Sequence, residues 1–221
     1  MLLGRNKIAM LVAEFLGTAL LTAVVLAVSK SNIGIPYFLS IAAGLAVAAG
    51  TVIFATVSGA HFNPAITIGL WSARKIKTIP ALAYVAAQLL GGACAYLLYT
   101  YFVNSHWSNG GEFDSRVLVA EAAGTFVLAL GWAAAVYQRL DVGKAAFVVG
   151  GALTLGIMVA SVAAAGTLNP AVALGARTWE WGTTLLGPVL GAVIGFNLYA
   201  LLFAPAESLT EAGERVAKKK K

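Results

Sequence analysis

The chain has 221 residues, of which 60% are hydrophobic and only 11% charged, and its mean hydropathy of +0.85 excludes a water-soluble globular domain in favour of one polytopic membrane domain. The formal charge of +6 is not the footprint of a nucleic-acid partner. The basic residues sit at the ends of apolar segments and in the tail Lys218 to Lys221, where they report topology and contact with anionic membrane lipid.

Residues 8–29 carry one charge, Glu14, and form the first expected transmembrane helix. The run is too long for the apolar core of a cleavable leader, so it is expected to stay as a span. Residues 35–57 form a second span, followed by the short approach Ser58-Gly59-Ala60-His61-Phe62 and the tripeptide Asn63-Pro64-Ala65. The basic cluster Arg74, Lys75 and Lys77 closes the segment after it. Residues 79–103 form an uncharged third span that contains the lone cysteine, Cys94, so an intrachain disulfide is excluded. A polar connector from Asn104 to Ser115 precedes spans at 116–137, 145–164 and 182–204. Between the last two stands a second tripeptide, Asn169-Pro170-Ala171. Beyond Pro205 the chain turns polar, and 210–221 form a basic tail.

An Asn-Pro pair normally marks a surface turn, but neither copy has a polar loop around it. The alternative makes Asn a helix N-cap and Pro the first helical residue, where its missing N–H costs nothing. The mostly apolar stretches that follow, Ile66 to Arg74 and Val172 to Glu180, each span about 13 to 15 Å at helical rise. End to end they cover a hydrocarbon core of about 30 Å. The sequence therefore predicts two re-entrant half-helices meeting near the membrane midplane, buried in protein or lining a water-filled cavity.

The two halves repeat one another. Ala13-Glu14-x-x-Gly17-Thr18 recurs as Ala120-Glu121-x-x-Gly124-Thr125, and Glu14 precedes Asn63 by 49 residues where Glu121 precedes Asn169 by 48. Three full crossings per half make the repeat inverted. The expected organisation is a single domain over 1–209, with repeats at 1–109 and 115–209. With the N-terminus inside, all the lysines and arginines except Lys30, Arg116 and Arg177 fall on that side. Both termini are thus expected to be cytoplasmic, and 210–221 a cytoplasmic tail. That tail fits either lipid binding or a dilysine retention signal.

Once each asparagine caps its helix through Oδ1, both protons of its amide are expected to face a central path. The positive ends of two half-helix dipoles would meet there and oppose a cation while admitting a neutral, hydrogen-bonding molecule. Capped hairpins of a transporter remain the alternative. Glu14 and Glu121 are intramembrane carboxylates, either a proton relay or acceptors for re-entrant backbone N–H groups. His61 either lines the path or packs as a neutral side chain. Gly91, Gly92, Gly187, Gly191 and Gly195 mark close helix approaches. Two histidines, one cysteine and scattered carboxylates build none of the usual metal, phosphate or nucleophile sites, so no enzyme, metal or cofactor is expected.

The paired Asn-Pro-Ala boxes, Ser58-Gly59-Ala60-His61-Phe62, Ala87-Gln88-Leu89-Leu90-Gly91-Gly92 and the paired glutamate segments resemble the aquaporin and glycerol-facilitator family, the major intrinsic proteins. The resemblance covers residues 8–204. It implies an all-α membrane fold of six tilted helices plus two half-helices, one pore per subunit and a homotetramer. It also implies two filters, one at Asn63, Pro64, Ala65, Asn169, Pro170 and Ala171 and one at an outer constriction. Typical members carry arginine after the second box, where this chain has Val172. By family spacing the other constriction positions fall on Ala43, usually aromatic in water channels, on Ile157, usually histidine there, and on Gly166. Ala173 stands where glycerol facilitators carry aspartate. The expectation is a passive channel of the cell membrane, with a wide, apolar constriction, for water and small uncharged solutes such as glycerol, urea, ammonia or metalloid hydroxides. A secondary transporter with broken helices, or a membrane scaffold with a closed pore, is the competing class.

Overall fold

The computed structural model describes residues 5–31, 36–108 and 110–205; the basic tail lies outside them. The described residues form an all-α bundle of α1 (Arg5–Lys30), α2 (Pro36–Ser58), α3 (Pro64–Ser72), α4 (Thr78–Val103), α5 (Ser115–Tyr137), α6 (Val142–Ala160), α7 (Pro170–Gly175) and α8 (Gly187–Leu202). A π-helical turn, Trp181–Leu186, leads into α8. Among these residues six helices are long and apolar enough to cross a membrane, the π turn and α8 counting as one. The short α3 and α7 begin at Pro64 and Pro170.

Burial is inverted relative to a protein in water. Glu14 and Glu121 are fully buried, whereas Ile79 and Phe147 are 82% and 81% exposed, a distribution that only a lipid exterior makes favourable. Four buried threonine hydroxyls are satisfied locally. Thr18, Thr22, Thr51 and Thr125 each donate to the carbonyl four residues earlier, which removes a polar group from the apolar interior without a distant partner.

Packing follows the internal repeat. α1 packs on α2 and α4, α5 packs correspondingly on α6 and α8, and α2 meets α6 across the centre. Each half-helix lies against the last helix of the other half, α3 on α8 and α7 on α4. Glycine makes the tightest of these crossings. A Cβ on Gly92 would collide with the Ala171 carbonyl, and one on Gly191 with the Ala122 carbonyl; the backbones approach as they do only where a side chain is absent.

Three elements differ from those expected. α6 begins at Val142, before residue 145, because the Asp141 side chain accepts from the Lys144 N–H at 3.0 Å and starts the helix. It stops at Ala160 rather than 164. The sixth span is not one regular helix: Pro188 has no N–H for the Thr184 carbonyl, and the turn before α8 takes π geometry. The second half-helix is the largest difference. α7 has 6 residues against 9 in α3, which is about 9 Å of helix where the sequence predicts a run to Glu180. Arg177 takes a left-handed φ of 59°, and the Thr178 N–H reaches the Ala173 carbonyl at 3.0 Å, a Schellman closure. α3 ends the same way, with Arg74 at φ 59° and the Lys75 N–H on the Leu70 carbonyl at 2.8 Å.

Candidate functional site

The centre of the molecule is built from two glutamates upward. Glu14, on α1, accepts four hydrogen bonds: from Ser58 Oγ at 2.6 Å, the His61 N–H at 3.0 Å, the Phe62 N–H at 2.8 Å and Gln88 Nε2 at 2.7 Å. Glu121, its counterpart on α5, accepts from the Thr167 N–H at 2.9 Å and the Leu168 N–H at 2.7 Å. The N–H groups of His61, Phe62, Thr167 and Leu168 are backbone donors that the approaches to the two boxes leave outside any helix. The approaches are strained, since Phe62 and Leu168 sit at left-handed φ of 51° and 49°, a conformation costing about 1 to 2 kcal/mol for a side chain of that bulk. The carboxylates hold them there.

That conformation turns the Phe62 and Leu168 carbonyls toward the opposite half of the molecule. Asn63 Oδ1 caps α3 by accepting from the Ala65 N–H at 2.8 Å, while its Nδ2 donates to the Leu168 carbonyl at 2.8 Å. Asn169 Oδ1 caps α7 from the Ala171 N–H at 3.0 Å, and its Nδ2 donates to the Phe62 carbonyl at 2.8 Å. This corrects the expectation that both amide protons are free: one proton of each amide ties the two half-helices crosswise, which leaves one per asparagine. Pro64 and Pro170 occupy the first helical positions, and Ala65 and Ala171 are fully buried behind them.

A cavity of about 130 Å³ runs past this junction, and its wall includes Asn63, Asn169, His61 and all four residues of the expected outer constriction, Ala43, Ile157, Gly166 and Val172. By volume it has room for several waters. Among the described residues no carboxylate, lysine or arginine lines it. Two of the constriction residues are close neighbours: a Cβ on Gly166 would come within 3.0 Å of Ile157 Cγ2, and Gly166 has φ 69°. A side chain at 166 would be strained by this backbone and would press on Ile157. His61 combines features of both readings open to it, since it lines the cavity yet packs edge-on against Tyr84 at 5.2 Å and Trp132 at 5.6 Å. Its Nδ1 is 3.2 Å from Thr67 Oγ1.

The sequence leaves several wall and support residues unassigned. Gln88 stands in a quoted segment but without a role; it bridges Glu14 and Thr67 Oγ1, the latter at 2.9 Å. Trp132 lies within an apolar helix with no motif around it. Trp107 and Thr178 sit in stretches that read only as a connector and as helix, and the fold brings both to the cavity wall.

Comparison with known proteins gives a consistent result. The model of the family described as Major intrinsic protein matches residues 4–199. The chain is 31% identical to Aquaporin Z of Photorhabdus laumondii, over 88% of this chain and 97% of that protein. It is 36% identical to Aquaporin NIP3-1 of Zea mays, over 85% of this chain and 68% of that one. Among solved structures it superposes on the aquaglyceroporin from Plasmodium falciparum with a TM-score of 0.77 at 24% identity, covering 92% of this chain and 99% of that one; at such identity the likeness concerns the fold.

Proposed function

Because the chain belongs to the major intrinsic protein family, we propose that the central cavity is the permeation path of a passive channel for water and small uncharged solutes. The observation that carries this reading is a cavity wall that, among the described residues, has no charged side chain, set where two helix N-termini face one another. An ion entering it finds no counter-charge, and a cation also meets the positive ends of α3 and α7. A neutral molecule meets hydrogen-bonding groups: the remaining amide protons of Asn63 and Asn169, and His61.

The ring of Ala43, Ile157, Gly166 and Val172 supports solutes larger than water. It offers no fixed cation and no aromatic bulk, so size exclusion there is weak and a permeant retains few protein hydrogen bonds. Glycerol, urea, ammonia and undissociated metalloid hydroxides are the solutes that fit. Selection against cations then falls to the two asparagines alone, with Glu14 and Glu121 as their scaffold.

The channel is further proposed to work as a homotetramer in the cell membrane with both termini cytoplasmic, an orientation supported by the clustering of lysine and arginine on one side. The test is stopped-flow light scattering on proteoliposomes of the purified chain, comparing water, glycerol, urea and ammonia. Flux linear in solute concentration and independent of ion gradients is expected. Saturable, ion-coupled flux would make the protein a transporter, and no flux for any of them would make it a scaffold.

A further inference from the structure

The cavity wall changes character toward the basic loop that follows α3. On the other side of the asparagines it passes the small residues Ala43, Gly166 and Val172, whereas on this side it ends on His61 and Trp132. About a turn further along, Leu70 on α3 and Tyr137 on α5 are buried and form no part of the wall. Trp132 lies about 8 Å short of the end of α5 by helical rise. The wall therefore stops at two rings, well before that surface of the bundle.

Both rings are fixed. Trp132 is 6% exposed and meets the imidazole edge-on with centroids 5.6 Å apart. On its other side His61 meets Tyr84 at 5.2 Å, and Tyr84 Oη donates to the Ser58 carbonyl at 2.8 Å. The orientation of the imidazole is set through Thr67, whose single hydroxyl proton has the Asn63 carbonyl, four residues earlier, as its nearest acceptor at 3.0 Å. Gln88 Nε2 donates to the same Thr67 oxygen at 2.9 Å and to Glu14 at 2.7 Å. With its own proton committed, Thr67 Oγ1 accepts from His61 Nδ1 at 3.2 Å. In the neutral ring this puts the proton on Nδ1 and leaves Nε2 an acceptor. Nε2 has no hydrogen-bond partner among the described residues. It is also not one of the enclosed unpaired atoms, which are Tyr99 Oη, Thr167 Oγ1 and Thr178 Oγ1, so it keeps access to the cavity that its ring lines.

We propose that His61 and Trp132 form the size filter of this channel on the side of the basic loop, with His61 Nε2 accepting a hydrogen bond from each solute that passes between the rings. The inference rests on the channel reading above and names its substrate class: uncharged hydrogen-bond donors up to about the size of glycerol or urea. A solute slipping past the indole loses water on its C–H edge without penalty, and its O–H or N–H finds Nε2 in exchange. Size discrimination thus sits with the two rings, and the small residues beyond the asparagines leave it to them. Thr67 and Gln88 are positioning residues in this account, because they hold the imidazole in one tautomer, with Glu14 as their anchor.

The experiment has two arms. Flux of water, glycerol, urea, erythritol and ribitol is measured in proteoliposomes of the full chain, with folded yield checked by gel filtration. Wild type should pass glycerol and urea and hold back erythritol and ribitol. Trp132→Leu should raise the erythritol-to-glycerol ratio severalfold, and Trp132→Phe should raise it by less. Wild-type ratios in both variants, or a wild type that passes ribitol as freely as glycerol, would overturn the filter. The second arm is nitrogen-15 NMR of histidine-labelled, untagged protein carrying His106→Gln, which leaves His61 as the single histidine. The ring should be protonated on Nδ1, and Thr67→Val should shift it toward the Nε2-protonated form. A ring protonated on Nε2 with Thr67 present would overturn the acceptor role. A wild type that passes neither water nor glycerol would instead overturn the channel reading, and this inference with it.

Discussion

Asn63 and Asn169 each perform two tasks with one side chain, capping their own half-helix through Oδ1 and holding the opposite approach through Nδ2. An aspartate at either position retains the cap but replaces the donor with an acceptor facing a carbonyl. Asn63→Asp and Asn169→Asp should therefore loosen the crosswise tie and place a negative charge where the dipoles converge. Cation leak should rise in vesicles loaded with a potassium-sensitive dye; unchanged conductance and unchanged water flux in both variants would count against a shared barrier. The glutamates differ more than their repeated sequence implies. Glu14 serves four donors and Glu121 two, counting the hydrogen bonds of the described residues. Each donor stranded by alanine costs about 1 to 3 kcal/mol, so Glu14→Ala should lower the thermal midpoint in detergent further than Glu121→Ala. Equal losses would show that the extra partners, Ser58 and Gln88, contribute nothing. Glutamine at 14 restores an acceptor for one side of the carboxylate only. If Glu14→Gln abolished flux while leaving the thermal midpoint intact, protonation rather than scaffolding would be its role.

Elements were legible where a chemical signal starts them and obscure where geometry stops them. Proline after asparagine announced both half-helix starts. Their ends are Schellman closures at Arg74 and Arg177, residues with no intrinsic preference for a left-handed backbone, so the 6-residue length of α7 had no local signature. The π turn before α8 was hidden in the same way, since Pro188 is tolerated near any helix start. Caps outside the membrane carry a pH dependence. The Arg116 side chain and backbone hold the Asp114 carboxyl below its usual range, the Lys144 N–H does so for Asp141, and the Gly182 and Thr183 N–H groups do so for Glu180. Because folded values lie below unfolded ones, this stabilisation is present above the ordinary carboxylate pKa of about 4 and is lost only as pH falls through the lower folded values. Circular dichroism between pH 7 and pH 5 should consequently show no fraying of α5 or α6 from these groups. Loss of helix already at pH 5 would mean that the caps are not carboxylates in the folded state.

At the scale of the whole molecule, the repeat spacing and the odd number of crossings set out the architecture before any coordinates, because membrane burial leaves few ways to satisfy a backbone. The gathering of Ala43, Ile157, Gly166 and Val172 around one cavity is what the family resemblance implies. The crosswise asparagine bonds and the entry of Trp107 had no such signal in the sequence. Both join residues from opposite halves or from a connector, through contacts that no periodicity encodes. What the assembled wall lacks is as informative as what it holds, for a charge-free constriction is the basis of the proposed permeation of solutes beyond water. The most direct measurement is the glycerol-to-water permeability ratio of proteoliposomes by stopped flow, for wild type, Val172→Arg and Ala43→Phe. Val172 and Ala43 are both buried in the cavity wall, so either larger side chain must narrow the path. The wild type should pass glycerol readily, and both variants should reduce glycerol flux more than water flux. Wild-type vesicles that conduct water yet exclude glycerol, urea and metalloid hydroxides alike, or a Val172→Arg ratio equal to wild type in folded protein, would contradict the account.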